Sequence, residues 1–416
     1  MAIKLPYGDQ EVNLDVPSGF KLILPPPTSP LDDLSKVFTQ GFANLTEIAT
    51  RKHRIVIVVS DGTRTTGSHL WLPHLIRALN VAGVHDDAIT FLVACGSHRP
   101  TTDAEKQKML GDELYSRFRV IDHDAKDEGA LGYVGSTISG TPVWINKLAL
   151  EVDLLIVTGT SGLHYFAGYG GGAKSILPGI TSWETIKTNH FRNFLGSRRD
   201  PHCRPANDLD NPLFRDMQEA ARLVNIGFMI TTVLDSEENI TGFFAGTDWE
   251  EVARLGRRAV DEQFIAEEAC EPADLIIVSA GGEPFDKNII QAHKALEFAS
   301  YCLKPGGTML GLVCCHEGVG SPPILKYLPA KNLDEFYELM RADYHPHGQC
   351  AFAMREKCER FRMMLCTELE DDIVKALGAE KFTDPDLAIK EACRTLKPDA
   401  KILVVPHGHH VLPRLE

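Results

Sequence analysis

Residues 153–174 read DLLIVTGTSGLHYFAGYGGGAK. A strand-length apolar run, 153–160, passes directly into a loop dense in glycine and polar groups. Open α/β sheets show this pattern where a buried strand ends and a ligand-facing loop begins. Two similar runs lie upstream, RIVIVVS (54–60) and AITFLVACG (88–96). Between the runs lie helix-like segments, HLWLPHLIRALNVAG (69–83) and DAEKQKMLGDELYSRF (103–118). Near-continuous apolar runs alternating with helical patterns predict a parallel sheet covered on both faces.

A second set follows. ADLIIVSAGG (273–282), GTMLGLVCC (307–315) and KILVVPHG (401–408) read as strands, with a helix from Ile289 to Cys302 between the first two. The opening IKLPYGDQEVNLDVP alternates around Gly8-Asp9 and suits a β-hairpin. The expected architecture is therefore α/β: two α/β domains with largely parallel sheets and an interdomain active-site cleft. The boundary is expected between Phe264 and Pro272. Residues 1–268 would form an N-terminal domain with the glycine loop and histidines, and 269–416 a C-terminal domain with substrate-binding residues.

The chain has 416 residues, 44% hydrophobic and 24% charged, with a formal net charge of -14. Such a balance argues against nucleic acid or an anionic membrane as partner, but a local basic pocket can still take a small anion. No signal-like N-terminal segment and no apolar run of membrane-spanning length is present, so a cytoplasmic protein is expected. The ten cysteines include Cys95, Cys302, Cys314 and Cys315 inside apolar segments and show no paired CxxC spacing. Buried reduced thiols are expected rather than disulfides or zinc ligands.

The loops after the strands hold the chemistry. Asp61-Gly-Thr-Arg64, Gly96-Ser-His-Arg99, Gly159 to Lys174, and Gly281 to Asp286 all follow predicted strands. The third nearly spells a phosphate-binding P-loop, with Gly168, four residues, Ala173, then Lys174-Ser175. That motif requires Gly before the lysine, where this chain has Ala173, and places its glycines directly after the strand. Here HYFAGY intervenes. The glycine amides and the start of a following helix can nevertheless hold a phosphate.

His98, His164 and His190 fall in or close after these loops, where a neutral imidazole accepts protons or ligates a borderline metal. Arg64, Arg99 and Lys294 are candidates to hold a carboxylate. His316, His345, His347 and HGHH (407–410) match no metal spacing, and structural roles are expected for them.

SDGTR (60–64), GSHRP (96–100), HYFAGYGGGAKSILPG (164–179), NH (189–190), GGEPFDKNIIQAHKAL (281–296) and VPHGHHVLP (405–413) together resemble the lactate racemase family. The resemblance spans nearly the whole chain. It implies a nickel-dependent racemase or epimerase of 2-hydroxy acids, working by hydride transfer through a 2-keto acid. The implied cofactor is a nickel-pincer nucleotide, the nickel complex of pyridinium-3,5-bisthiocarboxylic acid mononucleotide, tethered to Lys174 through a thioamide. His190 matches the family's metal-binding histidine, and His98 and His164 match its pair of bases. Gly170, Gly171 and Gly172 would cradle the nucleotide. Arg64 and Lys294 correspond to groups that contact substrate carboxylate or keto oxygen, Gln291 would orient substrate, and Asp61 would brace Arg64 or a histidine.

Departures include Thr65 where the family often has Pro, Gly170 where it often has Ser, and His293 between Gln291 and Lys294. They leave the catalytic set intact and the particular 2-hydroxy acid undetermined. Expected partners are the small substrate and the cofactor-making proteins that load the enzyme, with no nucleic acid and no membrane. Alternatives are a nucleotide- or metal-dependent enzyme of another class, such as a kinase or dehydratase, or a non-catalytic protein that binds the nickel nucleotide.

Overall fold

In the computed structural model, residues 2–415 are described. The chain divides into two compact units. One comprises Thr28–Phe194 and Asp200–Glu262; the other comprises residues up to Pro27, Leu195–Arg199 and Gln263 onward. For brevity they are the N-terminal and C-terminal units.

The N-terminal unit is built on a six-stranded sheet whose spatial order is 240–246, 226–234, 154–160, 55–60, 89–94, 119–122. All neighbouring pairs run parallel except 226–234 with 240–246, which form an antiparallel edge. Ile55, Ile57 and Val59 face one core with Phe91 and Val93, and that core is filled by Trp71, Leu72, Leu75 and Leu79 of the helix Ser68–Val81. Those helix positions recur at three- and four-residue intervals, so one stripe meets the sheet. Val56 and Val58, pointing to the opposite face, are buried as well, which is why the strand reads as unbroken hydrophobicity.

The C-terminal unit has a second six-stranded sheet, wholly parallel, in the order 380–382, 362–366, 303–312, 273–279, 402–405, 21–22. The hairpin predicted around Gly8-Asp9 is present, with Tyr7 opposite Gln10. It belongs to this unit and not to the N-terminal one, a correction to the expected 1–268 range. The reason is packing: Leu5, Leu14 and Val16 are buried against Leu275, Ile277, Leu310 and Val404. The main chain adds to this, since Gly8 N–H donates to Asp286 at 2.8 Å.

Residues 195–199 join the same unit through Arg199, whose guanidinium donates to buried Glu297 at 2.8 Å. The long helical segment expected over 103–118 is two helices, Asp103–Leu110 and Asp112–Arg117, parted at Gly111, where φ is +79°. No helix among the described residues is long and apolar enough to cross a membrane.

The strand orders locate the sites. From 55–60 the chain steps outward through 89–94 to 119–122, then returns to the other side with 154–160. Between 55–60 and 154–160, therefore, loops leave the sheet in opposite directions and open a crevice at the strands' carboxyl ends. Asp61 and the 161–174 loop leave those two strands. The second sheet repeats the device between 273–279 and 402–405, whose following loops carry Gly281–Asp286 and the HGHH segment.

Candidate active site

The glycine loop is not a P-loop. After the strand, Leu163–His164 and Gly168–Tyr169 pair as a miniature antiparallel hairpin. Next comes a single 3₁₀ turn, Gly172–Ser175, and a full helix begins only at Trp183. The following helix thus starts well beyond Lys174, so no helix terminus adjoins the glycines to hold phosphate. Ser175, where a P-loop would hold magnesium, donates its hydroxyl to Thr158 O at 2.8 Å. The Gly170 N–H is turned to Gly162 O at 2.7 Å and the Lys174 N–H to Gly171 O at 3.1 Å.

Gly171 has φ +70°, and a Cβ there would lie 2.8 Å from Thr160 O. Only glycine suits that combination. A Cβ on Gly170 would meet Thr160 O at 3.6 Å, ordinary contact, so a side chain is sterically admissible at that position.

The hairpin turn presents Phe166 as a hub. Its ring meets His164 edge-on at 4.6 Å and His190 at 5.4 Å between centroids, and the Lys174 ammonium lies 5.8 Å from its centre. Tyr165 stacks on His164 at 5.2 Å. Buried Asn211 fixes the turn by donating to Phe166 O at 2.8 Å. These aromatic and amide supports were missed in the sequence reading. Only the unbroken HYF run hinted at them.

His190 stands near the end of the helix Trp183–Phe191, which Ser182 caps by accepting from Thr185 N–H. Asn189 anchors that helix, donating to the fully buried Asp216 at 2.9 Å and to Leu213 O at 3.2 Å. Burial lowers the His190 pKa to about 3, helped by the Lys174 charge and, more weakly, by His98. The imidazole is therefore neutral near pH 7, with a lone pair to offer.

His98 is placed by a loop that folds against the far end of the glycine block. Gly96 N–H donates to Gly179 O at 2.9 Å, and His98 N–H to Cys95 O at 2.8 Å. Its Nδ1 lies 2.8 Å from Asp61 Oδ2. Burial pushes the Asp61 carboxyl up, but the His98 hydrogen bond and charge, with Arg64, outweigh this and hold it at about 2. Thr63 also donates to Asp61 through its amide, at 2.7 Å, and its hydroxyl. An ionised Asp61 accepts a proton-bearing Nδ1, leaving the His98 Nε2 lone pair outward.

His164 is set up differently. Ala167 N–H donates to its Nδ1 at 3.2 Å, so the neutral ring carries its proton on Nε2 in this arrangement. Two histidines of the same type thus rest in opposite tautomers.

Arg64 is exposed, its N–H turned to Asp61 O at 3.1 Å. Arg99 is gripped by Glu105 in a two-pronged pair at 2.8 and 2.6 Å, which removes it as a carboxylate holder. In the C-terminal unit, Gln291 and Lys294 share a face of the helix Ile289–Ser300, and Lys294 Nζ donates to Gln291 Oε1 at 2.8 Å. Asn288 caps this helix by accepting from Gln291 N–H at 3.2 Å. Beneath them Glu297 receives both Arg199 and the fully buried Lys357. His293 is buried beside this cluster, and burial holds it well below the usual histidine range, with Lys357 adding to the effect. It is packed inward and does not share the exposure of its neighbours Gln291 and Lys294.

Of the remaining histidines, His409 and His410 pack their rings on Phe285 at 4.6 and 4.5 Å. Among the described residues no group of three or more His, Cys, Asp or Glu has the arrangement of a metal site.

The lactate racemase N-terminal domain profile matches residues 7–201, and the lactate racemase C-terminal domain profile matches 268–412. The chain is 34% identical to the lactate racemase of Lactiplantibacillus plantarum, over 89% of this chain and 88% of that protein. Its identity to the lactate racemase of Thermoanaerobacterium thermosaccharolyticum is 30%, over 99% of each.

The structure of the apoprotein of the Thermoanaerobacterium enzyme superposes with a TM-score of 0.88, covering 100% of both chains. A crystal structure of a Thermotoga maritima protein, 19% identical, shares the fold with a TM-score of 0.68 over 94% of this chain and 100% of that one. With both halves matched and the α/β fold in agreement, this chain belongs to the lactate racemase family and is an isomerase, a racemase.

Proposed function

We propose that the chain inverts the hydroxyl-bearing carbon of a small 2-hydroxy acid, lactate or a close analogue, using a nickel-pincer nucleotide held by Lys174 and His190. The observation that carries this reading is the grouping around Phe166, where His164, His190 and Lys174 meet one ring. The names of the two similar enzymes favour lactate among 2-hydroxy acids.

The residues present fit such a group. His190 is buried and neutral, the state in which imidazole binds a borderline metal. Lys174 rises from a turn whose backbone at Gly171 admits no side chain, so a bulky planar ligand can approach the main chain. Gly171 and Gly172 are assigned to the nucleotide's phosphate end, and Gly170 to leaving its path bare. When bound, the group supplies a reversible hydride acceptor, which turns the hydroxyl-bearing carbon planar as a 2-keto acid.

The chain's own groups do the rest. His98, oriented by Asp61, takes the hydroxyl proton at Nε2 on one face. His164 serves the opposite face, and to accept a proton at Nε2 it must exchange its Ala167 hydrogen bond for the other tautomer. Arg64 offers a two-pronged donor to the carboxylate. Lys294 and Gln291, already hydrogen-bonded to each other, are assigned to the carboxylate or keto oxygen. Cytoplasmic location and loading by cofactor-making proteins complete the proposal.

A kinase reading is disfavoured by a specific feature, the engagement of Ser175 with Thr158 O. The test is co-expression with the cofactor-making proteins, followed by nickel analysis, mass measurement of the Lys174 peptide and chiral separation of product. Nickel, a heavier Lys174 peptide and stereoinversion are expected. Loaded protein that inverts no 2-hydroxy acid would overturn the reading.

A further inference from the structure

Cys270 and Cys302 lie in the C-terminal unit, outside every role assigned above. Cys270 ends the strand Ile265–Cys270, and Cys302 immediately precedes the strand Leu303–Leu312, just past the helix that bears Gln291 and Lys294. Their sulfurs are 2.8 Å apart although the residues are 32 positions apart in sequence. Both side chains are buried.

The backbone around them is pinned. Ala273 N–H donates to Cys302 O at 2.8 Å, and Cys302 N–H to Ala299 O at 3.1 Å. A disulfide bond is about 2.05 Å long, so closing the 2.8 Å gap needs a shift of about 0.75 Å. All ten cysteines are thiols in the structure.

We propose that Cys270 and Cys302 form a disulfide site, closed by a peroxide-class oxidant, that ties the end of the Ile289–Ser300 helix to the strand Ile265–Cys270. One thiolate attacks hydrogen peroxide, the O–O bond breaks, and hydroxide leaves to become water. The resulting sulfenic acid is attacked by the second sulfur; the S–S bond forms and a second water leaves. Two thiols and one peroxide give one disulfide and two waters, the two electrons passing from sulfur to oxygen.

The Cys270 hydrogen bond and burial push the Cys302 thiol far above its usual range. Little thiolate is present, so oxidation is slow. The same shielding slows reduction, which makes the site a staple that persists and not a rapid switch.

The test incubates the full wild-type chain with hydrogen peroxide, then alkylates it under denaturing conditions and maps its peptides without reductant. The expected result is a Cys270–Cys302 linked peptide two hydrogens lighter than the separate peptides, absent after reduction. A Cys302→Ser chain should leave Cys270 alkylated. Full alkylation of both cysteines in the oxidised wild type overturns the proposal, as does their recovery in links to other cysteines or as separate oxygen acids. The wild-type map decides the matter even if Cys302→Ser does not fold.

Discussion

Replacing Asp61 by Asn keeps the side chain's shape and removes its charge. In the native loop Oδ2 lies 2.8 Å from His98 Nδ1, while Oδ1 accepts from Thr63 N–H at 2.7 Å. An Asn has one oxygen for these two tasks. If the oxygen stays on Thr63, the amide NH₂ faces His98 and donates to Nδ1. The neutral imidazole must then carry its proton on Nε2 and has no lone pair for substrate. The reverse placement sets NH₂ against the Thr63 N–H, and leaving such a donor unsatisfied costs about 1–3 kcal/mol, so the first arrangement wins.

Losing one positioned general base lowers turnover by about 10²–10⁴-fold. Acid stability changes too. The folded Asp61 pKa, about 2, lies below its ordinary 3.8, so its contribution is present above pH ~4 and is lost as pH falls towards ~2. The difference of almost two units is worth about 2 kcal/mol. Chiral chromatography of product from cofactor-loaded Asp61→Asn measures the first effect. Acid unfolding of the same variant, followed by circular dichroism, measures the second, where the wild type's loss between about pH 4 and 2 should be smaller. Turnover within about threefold of wild type would refute the assigned role of Asp61.

Gly171→Ala should destabilise the N-terminal unit by about 2–4 kcal/mol, combining left-handed strain with overpacking on Thr160. Gly170→Ser should stay within about 0.5 kcal/mol in parallel urea denaturation, and equal effects would contradict the loop geometry. In the unloaded protein, ¹⁵N imidazole spectra should show a protonated Nδ1 on His98 and a protonated Nε2 on neutral His164. The same tautomer on both would remove the asymmetry. Glu297→Gln leaves buried Arg199 and Lys357 without their shared carboxylate and should cost about 3–5 kcal/mol, read as a lower unfolding midpoint of the C-terminal unit. Ser175→Ala should leave racemisation unchanged, since that hydroxyl is bound to Thr158 O. A hundredfold loss would revive the magnesium-binding role.

What the residues disclosed follows from where physical constraints leave a local mark. Fully buried parallel strands such as 55–60 and 154–160 must be apolar throughout, so they are legible. The same apolar character marks NIGFMITTVL (225–234), the interior strand that pairs in parallel with 154–160. The hairpin at 2–15 was recognised from its alternation, but its membership of the C-terminal unit was not, because that depends on Leu5 and Leu14 meeting residues more than 250 positions away.

Site residues were named through family resemblance; spacing alone left their roles open. The opposed tautomers of His98 and His164 were invisible, since they arise from Asp61 across two strands and from a backbone amide in a tight turn. Arg99 looked like a substrate clamp in sequence. Glu105, six residues on, engages it instead, a capping-box carboxylate serving a second purpose.

The central claim is stereoinversion of a 2-hydroxy acid by chain-held cofactor chemistry. The direct measurement supplies single enantiomers of lactate and a panel of related 2-hydroxy acids to cofactor-loaded protein and follows product by chiral chromatography. At least one acid is expected to approach an equal mixture from either enantiomer, and His98→Ala and His164→Ala should each abolish this. Unchanged enantiomers across the panel, with nickel and a modified Lys174 both verified, would contradict it.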